Sequence, residues 1–141
     1  MEDQVVERTQ RVAKIFKLVD GCKRCGLAFR IATENSSNSA LLRFSDQLRQ
    51  MLDRFCFELL AEIRRIDSEK LVDSSVYNGK IANKDVLGGH GDVALAGLIG
   101  DYEDVLLDHI PAHAGAMIKR QAHLLKQLSE RSDNFYRNAS A

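Results

Sequence analysis

Two cysteines three residues apart, in Cys22-Lys23-Arg24-Cys25, form the first pair of side chains able to carry chemistry. The C-x-x-C spacing serves either half of a tetrahedral zinc site or a thiol–disulfide couple. Zinc needs a second pair, and the one remaining cysteine is Cys56. A redox couple of this spacing is expected behind a strand, at a helix N-terminus. Here it lies inside a helical pattern instead. Cys22 falls on an apolar stripe, Cys25 beside it, and Cys56 near the apolar face of a second helix, so all three read as small hydrophobes. The flanking Lys23 and Arg24 keep a different chemistry open, because nearby cations lower a thiol pKa. Cys22, Cys25 and Cys56 are therefore the candidates for a thiol-based redox sensor.

Carboxylates offer a second chemistry. Glu58 and Glu62 fall beside or within the stripe of the second helix, and Glu103 flanks that of the third. Carboxylates projecting into a four-helix core are what a carboxylate-bridged di-metal site uses, with a Glu-x-x-His pair on each of two helices. None of the eight glutamates is followed three residues later by histidine. His109 and His113 have helical metal-ligand spacing, but Pro111 lies between them. His90 sits in Gly88-Gly89-His90-Gly91, which could receive a phosphate at a helix N-terminus but lacks the lysine and preceding strand of a P-loop. His123 borders the stripe of the fourth helix. Glu58, Glu62, Glu103 and His123 are thus the metal candidates, in a vestigial sense; no catalytic residue and no cofactor is expected.

The elements that position these side chains read as helices throughout. Val12, Ile15, Val19, Cys22, Gly26 and Phe29 keep a three-four spacing, and so do Leu41, Phe44, Leu48, Leu52, Phe55, Leu59, Ile63 and Ile66. Between them, Asn35 to Ser39 favours a turn, which predicts an antiparallel hairpin. Such a hairpin brings positions near 15 level with Glu58, so Lys14 or Lys17 is the expected partner of an inward Glu58. Residues 71–91 are punctuated by Ser74-Ser75, Asn78-Gly79 and the glycine-rich stretch, and read as a long crossover. Asp92 can cap a third helix carrying Leu95, Ile99, Tyr102, Leu106 and Ile110. Pro111 suits the first turn of a fourth, which presents Ala114, Met117, Gln121, Leu124, Leu125, Leu128 and Phe135. The expectation is one domain over 1–141, with helices near 4–34, 39–70, 92–109 and 112–136.

With 141 residues, 45% of them apolar and 28% charged, the chain can bury a real core. Twenty basic and twenty acidic residues leave no net charge to draw it to nucleic acid or an anionic membrane surface. The longest apolar run, Val93 to Gly100, is too short to span a bilayer. The start, Met1-Glu2-Asp3, shows no secretory pattern, and three cysteines make no disulfide framework, so a reduced, cytoplasmic setting is expected. Charge is uneven along the chain. No Lys or Arg occurs from Asp85 to Met117, where six carboxylates lie, whereas the first helix carries seven basic residues. Complementary solvated faces are the simple reading, and a cation- or partner-docking acidic helix the functional one.

Arg54-Phe55-Cys56-Phe57-Glu58-Leu59-Leu60-Ala61-Glu62-Ile63-Arg64-Arg65-Ile66 resembles the second helix of a family of short bacterial proteins, an uncharacterised ferritin-like four-helix-bundle domain. Gly100-Asp101-Tyr102-Glu103-Asp104 looks like the family's third-helix phrase, with Pro111 and Arg120-Gln121 at comparable positions. The resemblance covers about Gln10 to Phe135. It implies two antiparallel hairpins joined by a crossover, the bacterial cytoplasm, no established enzymatic activity and a possible link to stress responses. It maps family carboxylates onto Glu58 and Glu103. Two departures stand out. Phe29-Arg30-Ile31 has no carboxylate where the family places one, and Leu124 and Ser129 stand where relatives tend to carry Glu and His. The chain resembles a ligand-depleted member.

These readings lead to a non-catalytic helical module acting by self-association, as a homodimer, or by binding a protein partner. A metal-binding, di-iron-like protein and a thiol-based sensor are the alternatives.

Overall fold

A computed structural model describes residues 2–66, 91–108, 110 and 112–139. Four helices make up the described chain, with no strand among the described residues: α1 (Glu2–Thr33), α2 (Ser39–Ile66), α3 (Gly91–Leu107) and α4 (Ala112–Ala139). The expected crossover over 71–91 lies outside the described residues except for Gly91, as do His90, His109 and Pro111. No described helix is long and apolar enough to cross a membrane.

The turn between α1 and α2 follows from its polar residues. Thr33 Oγ1 donates to the Phe29 carbonyl oxygen at 2.7 Å at the end of α1. Asn38 Oδ1 then accepts from the backbone N–H groups of Ala40 and Leu41, both at 3.1 Å. These are donors that the first turn of a helix leaves without intrahelical partners, so Asn38 starts α2.

Each helix buries one stripe. α2 turns Phe44, Leu48, Leu52, Phe55, Leu59 and Ile63 inward, in steps of three and four. α1 buries a broader face, including Phe16, Leu18, Cys25 and Ala28 beside the expected stripe, because it packs against both α2 and α3. On α3, Leu98 and Val105 are buried with Leu95 and Tyr102, while Ile99 and Leu106 are half-buried against that core. α4 contributes Ala114, Ile118, Gln121, Ala122, Leu125 and Leu128.

Contacts along the helices set their directions. Phe29 packs against Phe44, ring centroids 5.9 Å apart, near the α1–α2 turn, and further along Cys56 reaches the Val19 carbonyl. α1 and α2 are therefore antiparallel. Lys14 pairs with Asp108 and Lys17 with Asp101, so α3 also runs against α1. Two glycines sit at close approaches, Gly91 against a rigid ring and Gly21 against the tip of a leucine. A Cβ on Gly91 would come within 2.9 Å of the Phe29 ring, and one on Gly21 within 2.8 Å of Leu98.

The charge asymmetry resolves into complementary faces. Lys14–Asp108 (2.9 Å), Lys17–Asp101 (3.7 Å) and Lys126–Glu103 (3.2 Å) join α3 to its neighbours on both sides. These are partly exposed pairs, which orient more than they stabilise.

Candidate functional site

The three cysteines lie on facing sides of α1 and α2, and the pairing differs from the one their spacing proposes. Cys22 lines one cleft with Cys56 of the neighbouring helix, and the two thiols shift each other's ionisation. Positions 22 and 56 meet because the antiparallel hairpin brings them level, as it brings Gly26 beside Leu52. Cys25 turns to a different part of the core, where it is fully buried. All three are free thiols.

Their electrostatic settings are unequal. Hydrogen bonding to Cys56 and burial push Cys22 well above the ordinary thiol range. Burial alone pushes Cys25 up to about 12. Cys56 goes the other way: the hydrogen bond from Cys22, helped by the Lys23 charge, holds it below the ordinary value despite partial burial. Hydrogen bonding to the charged form and a nearby cation both favour the thiolate. In its neutral form, Cys56 donates to the Val19 carbonyl at 3.8 Å. The structure thus contains one half-buried thiol biased toward thiolate, on the same cleft as a buried thiol held protonated.

A polar line runs from this pair across the apolar core. Cys22 Sγ lies 3.6 Å from the Tyr102 hydroxyl. That hydroxyl donates to Gln121 Oε1, and Gln121 Nε2 donates to Glu58 Oε1 at 3.4 Å and approaches Met117 Sδ at 3.2 Å. Glu58 Oε2 in turn accepts from Arg120 at the surface. Each member thereby satisfies the next inside a core that would penalise an unpaired polar group. Tyr102 and Gln121 stood out in the sequence as stripe positions only. The signal for more was a glutamine within an apolar stripe, which needs a buried partner.

The vestigial metal candidates do not converge. Glu58 faces α4 rather than α1, so its partner is Arg120, not Lys14 or Lys17, which pair with α3. Cys56 shows why: it takes the α1-facing side of α2, and two residues further on the helix has turned about 200°. Glu62 is buried at 4% exposure, bonded by Arg65 through Nε at 3.0 and 3.1 Å and approached by His113 Nδ1 at 3.4 Å. Glu103 is exposed and paired to Lys126, and exposed His123 meets Gln127 at 3.2 Å. Cations and an amide hold the oxygens of Glu58 and Glu62. No group of three or more His, Cys, Asp or Glu able to hold a metal occurs among the described residues.

Compared with protein-family models, with curated proteins and with solved structures, the chain finds no match.

Proposed function

We propose that this chain is a non-enzymatic, ferritin-like helical bundle, a ligand-depleted one, that responds to oxidants by joining Cys22 to Cys56. The observation carrying this reading is that Cys22 and Cys56, level with each other on antiparallel α1 and α2, line one cleft and shift each other's ionisation in opposite directions. Two thiols on one cleft at the same level of a hairpin can approach to the disulfide bond length of about 2.05 Å. A hydroperoxide supplies the oxidising equivalents. The Cys56 thiolate attacks one peroxide oxygen, forming a sulfenic acid and releasing the other oxygen as hydroxide or alkoxide. Cys22 then displaces water from that sulfenic acid, giving the disulfide. The polar line from Cys22 through Tyr102 and Gln121 to Glu58 gives the change a path of contacts toward α4.

The ferritin-like part of the proposal is supported by the order of packing. α1 lies on α2 and on α3, α4 on α3 and on α2, and α3 starts beside Phe29, at the end of the bundle opposite to Ile66. Asp101, Glu103 and Asp108 of the acidic third helix are matched within the chain by Lys17, Lys126 and Lys14.

Thiol counting tests the proposal. Treatment with about one equivalent of hydrogen peroxide should remove two of the three thiols, and dithiothreitol should restore them. Retention of all three, or loss only through links between chains, contradicts it.

A further inference from the structure

The thiol pair opens on a cleft between α1 and α2 whose charged lining residues are mostly cations. Lys23, Arg30 and Arg49 line it with Cys22 and Cys56, and Asp53 is the one carboxylate among them. Its volume is about 210 Å³, room for the reacting end of a small molecule and more than a peroxide needs. Among the described residues, Lys23 and Arg30 are held in no ion pair, and Arg49 reaches the exposed Asp46 only at 3.9 Å. Lys23 favours the Cys56 thiolate, and three cations on one cleft do more. They raise the local concentration of anions at the sulfur.

We propose that Cys56 undergoes thiol–disulfide exchange with an anionic low-molecular-weight disulfide, whose carboxylates lie against Lys23, Arg30 and Arg49. This rests on the thiol reading above and names the substrate class of the same site. Cys56 thiolate attacks one sulfur of the disulfide, forming a mixed disulfide and expelling the other half as thiolate, which is protonated by solvent. Cys22, which lines the same cleft, then attacks the Cys56 sulfur. Its proton leaves with the second half as thiol, and the Cys22–Cys56 disulfide remains. One external disulfide is reduced to two thiols while two cysteines are oxidised, so no further oxidant is needed.

Three disulfides of different charge separate recognition from plain reactivity: glutathione disulfide (anionic), hydroxyethyl disulfide (neutral) and cystamine (cationic). Each rate is divided by its rate with the same chain unfolded in urea. In the folded protein the normalised order is anionic, then neutral, then cationic, with a span of roughly tenfold at low salt. The span collapses at about 0.5 M salt. Lys23→Gln and Arg30→Gln each narrow it, and Lys23→Arg restores it. Mass analysis of Cys22→Ser locates the trapped mixed disulfide on Cys56; should that variant misfold, release of small thiol from the unaltered chain gives the same ordering. Equal normalised rates for the three probes overturn the proposal while leaving the thiol pair standing. Absence of exchange with every probe, together with retention of all thiols under peroxide, overturns both.

Discussion

The Tyr102 hydroxyl lies 3.6 Å from Cys22 Sγ and gives its own proton to Gln121, so toward the thiol it acts as an acceptor. The Cys22 proton thus has the Tyr102 oxygen as its acceptor. Burial and the neighbouring Cys22 keep the phenol itself protonated far above its ordinary range. Tyr102→Phe leaves Gln121 Oε1 without its donor in the core, and should lower unfolding stability by about 1–3 kcal/mol. Adding Gln121→Met removes the orphaned group and should recover part of the loss. A urea-denaturation cycle over the two single variants and the double variant measures it; purely additive losses would contradict a bonded pair.

Alkaline stability should depend on Cys25. Its thiol ionises near 9 when unfolded but is pushed up to about 12 in the fold by burial. Between these values the unfolded state has lost a proton that the native state retains. Stability contributed by the buried neutral thiol is therefore present below pH 9 and falls as pH rises toward 12, by up to about 1.4 kcal/mol per unit. Denaturation midpoints at pH 8 to 11 should drop less steeply for Cys25→Ala than for the unaltered chain, and parallel slopes would refute this setting for Cys25.

Glu58 and Glu62 should behave as paired carboxylates, not as metal ligands. Glu58→Gln breaks a partly exposed pair, so stability should change by about 1 kcal/mol or less. Glu62→Leu removes a buried charge whose partners, Arg65 and His113, can return to water, so it should be milder than Arg65→Met, which strands that charge. Melting temperatures rank the variants. Elemental analysis of protein purified without chelator should find well under one iron, manganese or zinc per chain, and two per chain would defeat this reading.

The hydroxyls of Ser45 and Ser132 are buried without a hydrogen-bond partner among the described residues. Replacing either by alanine removes a desolvated polar group and improves helix propensity, so each variant should gain about 1 kcal/mol. A calorimetric melt showing lower stability would mean the hydroxyls are bonded after all.

The all-helical architecture was legible because Leu48, Leu52, Phe55 and Leu59 repeat at helical spacing and a polar break precedes them. Which face met which neighbour was not. Periodicity locates a stripe without saying what lies opposite, so Glu58 was matched to α1 when its partner stands on α4. The cysteines show the same limit more sharply. Cys22 and Cys25 draw attention as neighbours in sequence, yet Cys22 shares its cleft with Cys56, 34 positions away, brought level only when the hairpin closes. The Tyr102–Gln121 bond was half-hidden too: a glutamine within an apolar stripe calls for a buried partner, but the pattern does not say that the partner is Tyr102 of another helix. The metal candidates were read from carboxylates near a stripe, and the basic residues that hold them come from elements the pattern could not bring together.

Peptide mapping of the oxidised protein tests the central claim most directly. After mild peroxide treatment, alkylation of remaining thiols and digestion without reductant, the account predicts one cross-linked species joining the peptide of Cys22 to that of Cys56, with Cys25 recovered alkylated after unfolding. A bridge between Cys22 and Cys25, or oxidation confined to single cysteines with no bridge, would contradict it.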